Sequence, residues 1–305
     1  MRQSNPAKSG APYRGRFAPS PTGPLHFGSL VTALGSYAEA RAHGGTWLVR
    51  MEDLDRPRLV PGAADAILRA LEAFGFEWDE PVLYQNQRTK AYEDALTQLH
   101  ALGLTYNCIC SRRQIAANAI LGPEGPIYPG TCRARQIPTQ EGRATRLHVN
   151  TQPLAFHDAI QGIKIQDIQK EVGDFVLRRA DGLFAYQLAV VVDDAYQGIS
   201  HVIRGADLCR STPRQILLQG YLKLPTPAYA HLPVVLDHQG HKLSKSAAAA
   251  PVDPDAPLPA LLQAWDFLGQ PAFPEPPGTV AQYWRMALHH WNLARVPNLA
   301  GAKLS

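Results

Sequence analysis

The chain has 305 residues, 45% of them hydrophobic and 18% charged, with a formal net charge of +4 and a pI of about 8.9, a composition that fits a soluble globular protein with a buried core. No run of about 20 apolar residues exists to cross a membrane, the basic N-terminus lacks the apolar stretch of a secretory signal, and four cysteines are too few for a disulfide scaffold, so a reducing, cytoplasmic setting is expected. The mild basic excess suits an anionic partner such as ATP or RNA, a property shared with many proteins that bind neither.

Residues 1–12 read as a disordered lead-in. Residues 13–18 form a candidate strand that runs into the turn PSPTGP and then a helix, with Leu30, Ala33, Leu34, Tyr37 and Ala38 at helical spacing and Gly44-Gly45 at its end. Thr46–Met51 is an apolar strand, and residues 63–74 and 89–102 read as helices. This strand–helix–strand order opens a parallel α/β sheet. Residues 105–140 break the rhythm, being rich in Cys, Gly, Pro and Arg, and read as an inserted subdomain. The sheet domain, 13–104, resumes over 141–250. Strand-like segments return at 175–178, 184–192 and 200–203, followed by a helix at 213–221 and a strand at 233–236. Residues 251–305 form a short helical domain, with one apolar face carrying Leu258, Leu261, Leu262, Trp265 and Leu268 and another carrying Val280, Trp284, Ala287, Leu288 and Trp291. Both faces require a partner surface.

Two segments carry chemistry. RFAPSPTGPLHFGS, residues 16–29, sits at a strand-to-helix junction, where free N–H groups and the positive dipole end face a phosphate. His26 can donate to phosphate oxygens as charge builds on them. HKLSKS, residues 241–246, follows a strand; Lys242 and Lys245 are mobile point charges suited to a polyphosphate. Forming an acyl adenylate needs in-line placement and charge stabilisation rather than covalent help. Each segment alone could be a turn or a surface loop; together they point to ATP chemistry, with His26, Lys242 and Lys245 as the catalytic candidates.

These residues resemble the HIGH and KMSKS signatures of class I aminoacyl-tRNA synthetases, written here HFGS and KLSKS. Ser29 stands where the signature has its second histidine, and Leu243 replaces methionine. RFAPSPTGPLH, LVRMEDLD (48–55) and VVVDDAYQGISHVIRGADL (190–208) are similar to the glutamyl and glutaminyl branch, over roughly residues 13–250. The resemblance implies a Rossmann-like α/β fold. It also implies an ATP site at His26, Gly28, Ser29 and Lys245, with Mg2+ accompanying the ATP, and a glutamate pocket of Arg16, Phe17, Ala18, Pro19, Ser20, Glu52, Tyr186 and Arg204. The residue types agree: Glu52 suits an ammonium, and Arg16, Arg204, Ser20 and Tyr186 suit two carboxylates. Glutamine would leave a buried arginine unpaired, at about 3–5 kcal/mol. Ala206 stands where the family commonly has an acid.

In the insert, Cys108 and Cys110 precede Cys132. On spacing alone, tetrahedral zinc and three reduced thiols are both admissible. Zinc-bearing relatives use Cys-x-Cys followed by Tyr-x-x-x-Cys, and Cys108, Cys110, Tyr128 and Cys132 match that pattern; the resemblance implies one structural zinc. After the lysine loop only two short helices are expected, against the large anticodon-binding region of glutamyl-tRNA synthetases. The chain looks like their truncated paralogues, monomers that activate glutamate without tRNA and attach it to queuosine at the wobble position of tRNA(Asp). On that reading the anticodon loop enters the catalytic cleft. Two alternatives compete: the catalytic part of an ordinary glutamyl-tRNA synthetase charging tRNA(Glu), and a non-catalytic zinc-bearing RNA-binding protein on the same scaffold.

Overall fold

The computed structural model describes residues 12–242 and 251–304. Its first half holds β1 (Arg14–Phe17), α1 (Phe27–Ala42), β2 (Thr46–Met51), α2 (Ala63–Ala73), β3 (Leu83–Tyr84) and α3 (Thr89–Ala101). There follow β4 (Thr105–Cys108), α4 (Arg112–Asn118) and a small hairpin of β5 (Leu121–Gly122) and β6 (Gly125–Pro126). The chain then runs through β7 (Ala144–Leu147), β8 (Leu154–Asp158), β9 (Gly162–Gln166), α5 (Ile168–Glu171), β10 (Val176–Arg178), α6 (Tyr186–Tyr196), β11 (His201–Gly205), α7 (Thr212–Leu222), β12 (Ala228–Leu232) and β13 (Val234–Leu236). Helices α8 (Pro257–Phe267) and α9 (Val280–His290) and strand β14 (Gly301–Lys303) complete it. Among the described residues no helix is long and apolar enough to cross a membrane.

Strands β1, β2 and β3 pair in parallel, and β11, β12 and β8 form a second parallel set edged by antiparallel β9. The two sets meet where the Ser200 amide donates to the Arg14 carbonyl at 3.0 Å and the Arg14 amide donates to Ser200 Oγ at 2.8 Å. The carboxyl ends of β1, β2 and β11 therefore lie side by side, where an open parallel sheet presents its ligand crevice. Strand β4 pairs antiparallel with β7, and β7 with β10, in a separate small sheet.

Helix α1 is the central pillar of the first half. Eleven of its sixteen residues are buried, because the sheet covers one side and α8 and α9 the other. Its small residues permit that approach: a Cβ on Gly35 would lie 2.7 Å from Leu232 Cδ1 of β12. The two apolar faces expected after residue 251 belong to α8 and α9. Leu261, Trp265, Trp284 and Trp291 join the cluster formed by Leu30, Leu34, Tyr37, Trp47 and Phe76. Indole nitrogens find partners there: Trp284 Nε1 donates to the Phe74 carbonyl at 2.9 Å, and Trp291 Nε1 to Glu39 Oε2 at 2.6 Å.

One expected element differs. The apolar run 184–192 reads as a strand, yet it forms most of helix α6. Leu188, Ala189, Val190 and Val191 are all buried, packed with Tyr92 and Leu99 of α3 and Leu217 and Leu218 of α7. A helix buried along both flanks needs little amphipathic period, so β-branched propensity is overridden by tertiary packing. Its two acids also take different partners. Asp193 accepts from Tyr92, Gln85 and Arg88, and Asp194 from Arg16 and Arg50.

The substitution Trp284→Ala removes an aromatic side chain in T-shaped contact with Tyr37 at 4.7 Å and Phe76 at 5.1 Å, and it orphans the Phe74 carbonyl. Urea unfolding is expected to show a loss of about 3–5 kcal/mol; a loss below 1 kcal/mol would mean that α9 does not dock on the core.

Candidate active site

A cleft of about 650 Å³ opens at the carboxyl ends of β1, β2 and β11. Its floor begins with Arg16 and Phe17 at the end of β1, then Ala18, Pro19 and Ser20 in the following turn. Gly23 holds that turn at φ 141°, a conformation glycine reaches without a Cβ clash. The turn delivers His26 as the N-cap of α1. His26 Nδ1 accepts from the Ser29 amide at 3.3 Å, so a neutral ring carries its proton on Nε2, which lies 3.1 Å from Ser29 Oγ. Gly28 and Ser29, at the N-terminus of α1, line the same wall.

Glu52 follows β2 and faces the cleft. Burial pushes its carboxyl pKa up, opposed by the Arg50 and Arg16 guanidiniums. Arg50, fully buried, donates to Glu52 Oε1 at 3.3 Å, to Asp194 Oδ1 at 2.8 Å and to Gln197 Oε1 at 2.9 Å. Arg16 grips the same Asp194 through Nε at 3.1 Å and Nη2 at 3.4 Å. Burial disfavours the Asp194 charge, but the two arginines outweigh it and hold its pKa below the ordinary carboxylate value. Arg204, at the end of β11, donates through Nη1 to Tyr186 Oη at 3.3 Å, and Tyr186 stands at the start of α6. Among the described residues no carboxylate pairs directly with Arg204. Also lining the cleft, Lys242 Nζ lies 2.5 Å from Asp207 Oδ2.

The structure thus brings Arg16, Phe17, Ala18, Pro19, Ser20, His26, Gly28, Ser29, Glu52, Tyr186, Arg204 and Lys242 to one cavity. Lys245 lies outside the described residues. Lys242 lines the cleft and Pro251 bridges to His26, so the described residues on either side of that segment both sit at the site.

A second cluster lies away from the cleft. The sulfurs of Cys108, Cys110 and Cys132 lie within 4.8 Å of one another, with Cys110 and Cys132 3.5 Å apart. Tyr128 Oη is 3.3 Å from Cys108 Sγ and 3.6 Å from Cys110 Sγ, and it accepts from the Cys132 amide at 2.9 Å. A tetrahedron with Zn–S bonds of 2.3 Å has edges of about 3.8 Å, so three thiols and one phenol at these separations fit a zinc ion. Burial and the neighbouring Cys108 thiol push the Tyr128 phenol up. Burial raises the Cys132 thiol too, but the Ile109 amide and the Tyr128 hydrogen bond outweigh it and bring it down to about 7.

Residues 13–271 match the family model described as tRNA synthetases class I (E and Q), catalytic domain. The chain belongs to this family. It is 57% identical over 294 residues to a protein of Dechloromonas aromatica named glutamyl-Q tRNA(Asp) synthetase, covering 94% of this chain and 96% of that one. A Neisseria meningitidis serogroup B protein of the same name is 51% identical over 291 residues, covering 94% and 98%. Among solved structures, a glutamate tRNA ligase from Elizabethkingia meningosepticum, in complex with its amino acid, superposes with a TM-score of 0.81. That match is at 26% identity and covers 97% of this chain and 67% of the ligase. Mycobacterium tuberculosis methionyl-tRNA synthetase, at 12% identity and a TM-score of 0.52, shares the fold.

The family motifs do not by themselves single out Arg50 and Asp194, the buried pair that braces Arg16 and Glu52. Both leave a trace in the sequence: Arg50 interrupts the apolar strand β2, and Asp194 follows Asp193 directly after the apolar run of α6. Because the folded pKa of Asp194 is depressed, its contribution to stability is complete above the unfolded value of about 3.9 and is lost as pH falls through the folded value. Asp194→Asn is therefore expected to destabilise the protein at pH 7 and to flatten the acid limb of its pH–stability curve. Parallel acid limbs for variant and wild type would show that the pKa of Asp194 is the same in the folded and unfolded chain.

Proposed function

We propose that the chain activates glutamate with ATP, without tRNA, and transfers the glutamyl group to queuosine at the wobble position of tRNA(Asp). The observation that carries the first half is the joint lining of one cleft by a helix N-terminus with His26, a largely buried carboxylate at Glu52, and two arginines differently committed. Arg16 is neutralised by Asp194, whereas Arg204 has only neutral partners and keeps an edge toward the cavity for an acid. Glu52 takes the substrate ammonium. Arg204, with Tyr186, takes a carboxylate; a carboxamide there would leave the guanidinium unpaired.

In the reaction an oxygen of the α-carboxylate attacks the α-phosphorus of ATP, the bond to the bridging oxygen breaks, and pyrophosphate departs with its electron pair. His26 Nε2–H and the first-turn amides of α1 stabilise charge on the phosphate oxygens, while Lys242 and Lys245 neutralise the leaving group. Magnesium enters with ATP as the partner of its phosphates. The second half rests on the relatives at 50–57% identity that share nearly their whole length with this chain. Cys108, Cys110, Tyr128 and Cys132 would hold a zinc ion, which when bound supplies a structural cross-link between β4 and the loop before β7.

Purified protein is expected to catalyse ATP–pyrophosphate exchange that requires glutamate, rejects glutamine and proceeds with no RNA present. Arg204→Ala should lower kcat/KM for glutamate by about 10²–10³, and Lys245→Ala should lower the exchange rate by a similar factor. Exchange that is indifferent to the amino acid would refute the pocket. Incubation with radiolabelled glutamate should mark queuosine-bearing tRNA(Asp) and leave tRNA(Glu) unlabelled; the reverse pattern would assign the chain to 3′-end charging. Elemental analysis should find stoichiometric zinc, lost in Cys110→Ala together with order in the segment around α4.

A further inference from the structure

Beside Arg204, and not lining the cleft, lies a buried pair that none of the site motifs includes. His231 on β12 is opposite Arg204 in the parallel register, and its side chain is fully buried. Its Nδ1 lies 2.5 Å from Asp158 Oδ2 at the end of β8. Its Nε2 lies 3.1 Å from Arg204 Nε and 3.2 Å from Thr212 Oγ1. An arginine N–H can only donate, so His231 Nε2 must be the acceptor and the ring proton must sit on Nδ1, where Asp158 receives it. Asp158 is itself locked: Oδ1 accepts from the amides of Ile160 at 3.0 Å, Gln161 at 2.7 Å and His231 at 3.1 Å. Burial raises its pKa, but these bonds and His231 outweigh burial and keep it an anion.

The remaining donors of Arg204 are nearly all committed. Nη2 donates to Thr212 Oγ1 and Gln215 Oε1, both at 2.8 Å. With Nε held by His231 and one Nη1 N–H given to Tyr186, four of its five N–H groups hold the guanidinium plane, and the second Nη1 N–H is the one that remains for a ligand in the cavity. We propose that Asp158 and His231 form a positioning relay that sets the orientation of Arg204 toward a substrate carboxylate. The relay rests on the glutamate reading of the cleft. It places the compensating anion one imidazole away rather than against the guanidinium. A carboxylate in direct contact would compete with the substrate for Nη1; a charge behind a neutral ring partly offsets the cost of the buried cation and leaves that edge available.

Two measurements test it. In 15N-histidine-labelled wild-type protein, long-range 1H–15N correlation should show His231, assigned by the loss of its signals in His231→Asn, as a neutral ring protonated on Nδ1. A ring protonated on Nε2, or an imidazolium, overturns the relay whatever the variants do. In the exchange assay, His231→Asn keeps a donor for Asp158 but removes the acceptor for Arg204. It should raise the glutamate KM by about 10–100-fold with far smaller changes in kcat and in the ATP KM. His231→Gln, whose carbonyl can reach the Nε2 position, should recover most of that loss. Equal behaviour of the two variants, or parallel rises in both KM values, would reduce His231 to a packing residue. Absence of glutamate-dependent exchange in the wild type overturns the function and the relay together, whereas normal wild-type exchange with an unchanged KM in His231→Asn overturns the relay alone.

Discussion

A buried alternation of charge, Arg16–Asp194–Arg50–Glu52, is the constraint around which the cleft is organised. The members come from the ends of β1, α6 and β2 and from the residue just past β2. Taking four charges out of water costs several kcal/mol per ion, and the pairing offsets this only with close geometry and shared hydrogen bonds. Asp194 meets that condition by serving two arginines at once, and Arg50 by reaching Asp194, Glu52 and Gln197. Both strands and the helix are thereby held in one relative placement. Any looser arrangement would leave a charge buried and alone, so the network acts against misregistered packing more than it adds net stability.

That constraint explains what could and could not be read from the sequence. The elements around α1, β1 and β2 were legible because capping turns, glycine stops and apolar periodicity all pointed the same way. Most of the residues lining the cleft were legible because they cluster in three short motifs, RFAPSPTGPLH, LVRMEDLD and VIRGADL, and the fold brings the ends of three neighbouring strands together; Gly28, Ser29, Tyr186 and Lys242 join them from outside those motifs. The α6 segment was not. Its valines favour a strand locally, and only the burial of both flanks by α3 and α7, with Asp193 and Asp194 turned to different partners, makes it a helix. A single sequence does not display which acid will meet which arginine across more than 140 residues. Nor could it reveal His231, which lies in the unremarkable strand AYAHL and whose role arises from its neighbour in register.

The apolar half of the molecule serves the same end by other means. The phosphate recognition proposed for the start of α1 depends on where that helix points, and α1 has little polar surface with which to fix itself. It is held by shape: Gly35 against Leu232 on the sheet side, and Tyr37 against Trp284 on the side of α9. The C-terminal helices, which bring none of the residues lining the cleft, therefore contribute to it by setting the axis of the helix whose first turn faces it. The Trp291–Glu39 hydrogen bond extends the same clamp along α1.

The two cleft arginines show how one residue type is given two tasks. Arg16 is neutralised inside the protein, so its charge is largely spent before any substrate arrives. It can shape the pocket and lend hydrogen bonds, but it cannot strongly discriminate between an acid and its amide. Arg204 is surrounded by neutral acceptors, with the balancing anion set behind an imidazole. Its electrostatic demand is therefore met in full only when a carboxylate enters. On the proposed reading, selectivity for glutamate over glutamine follows from which arginine the protein leaves unpaired, and not from the number of arginines in the pocket.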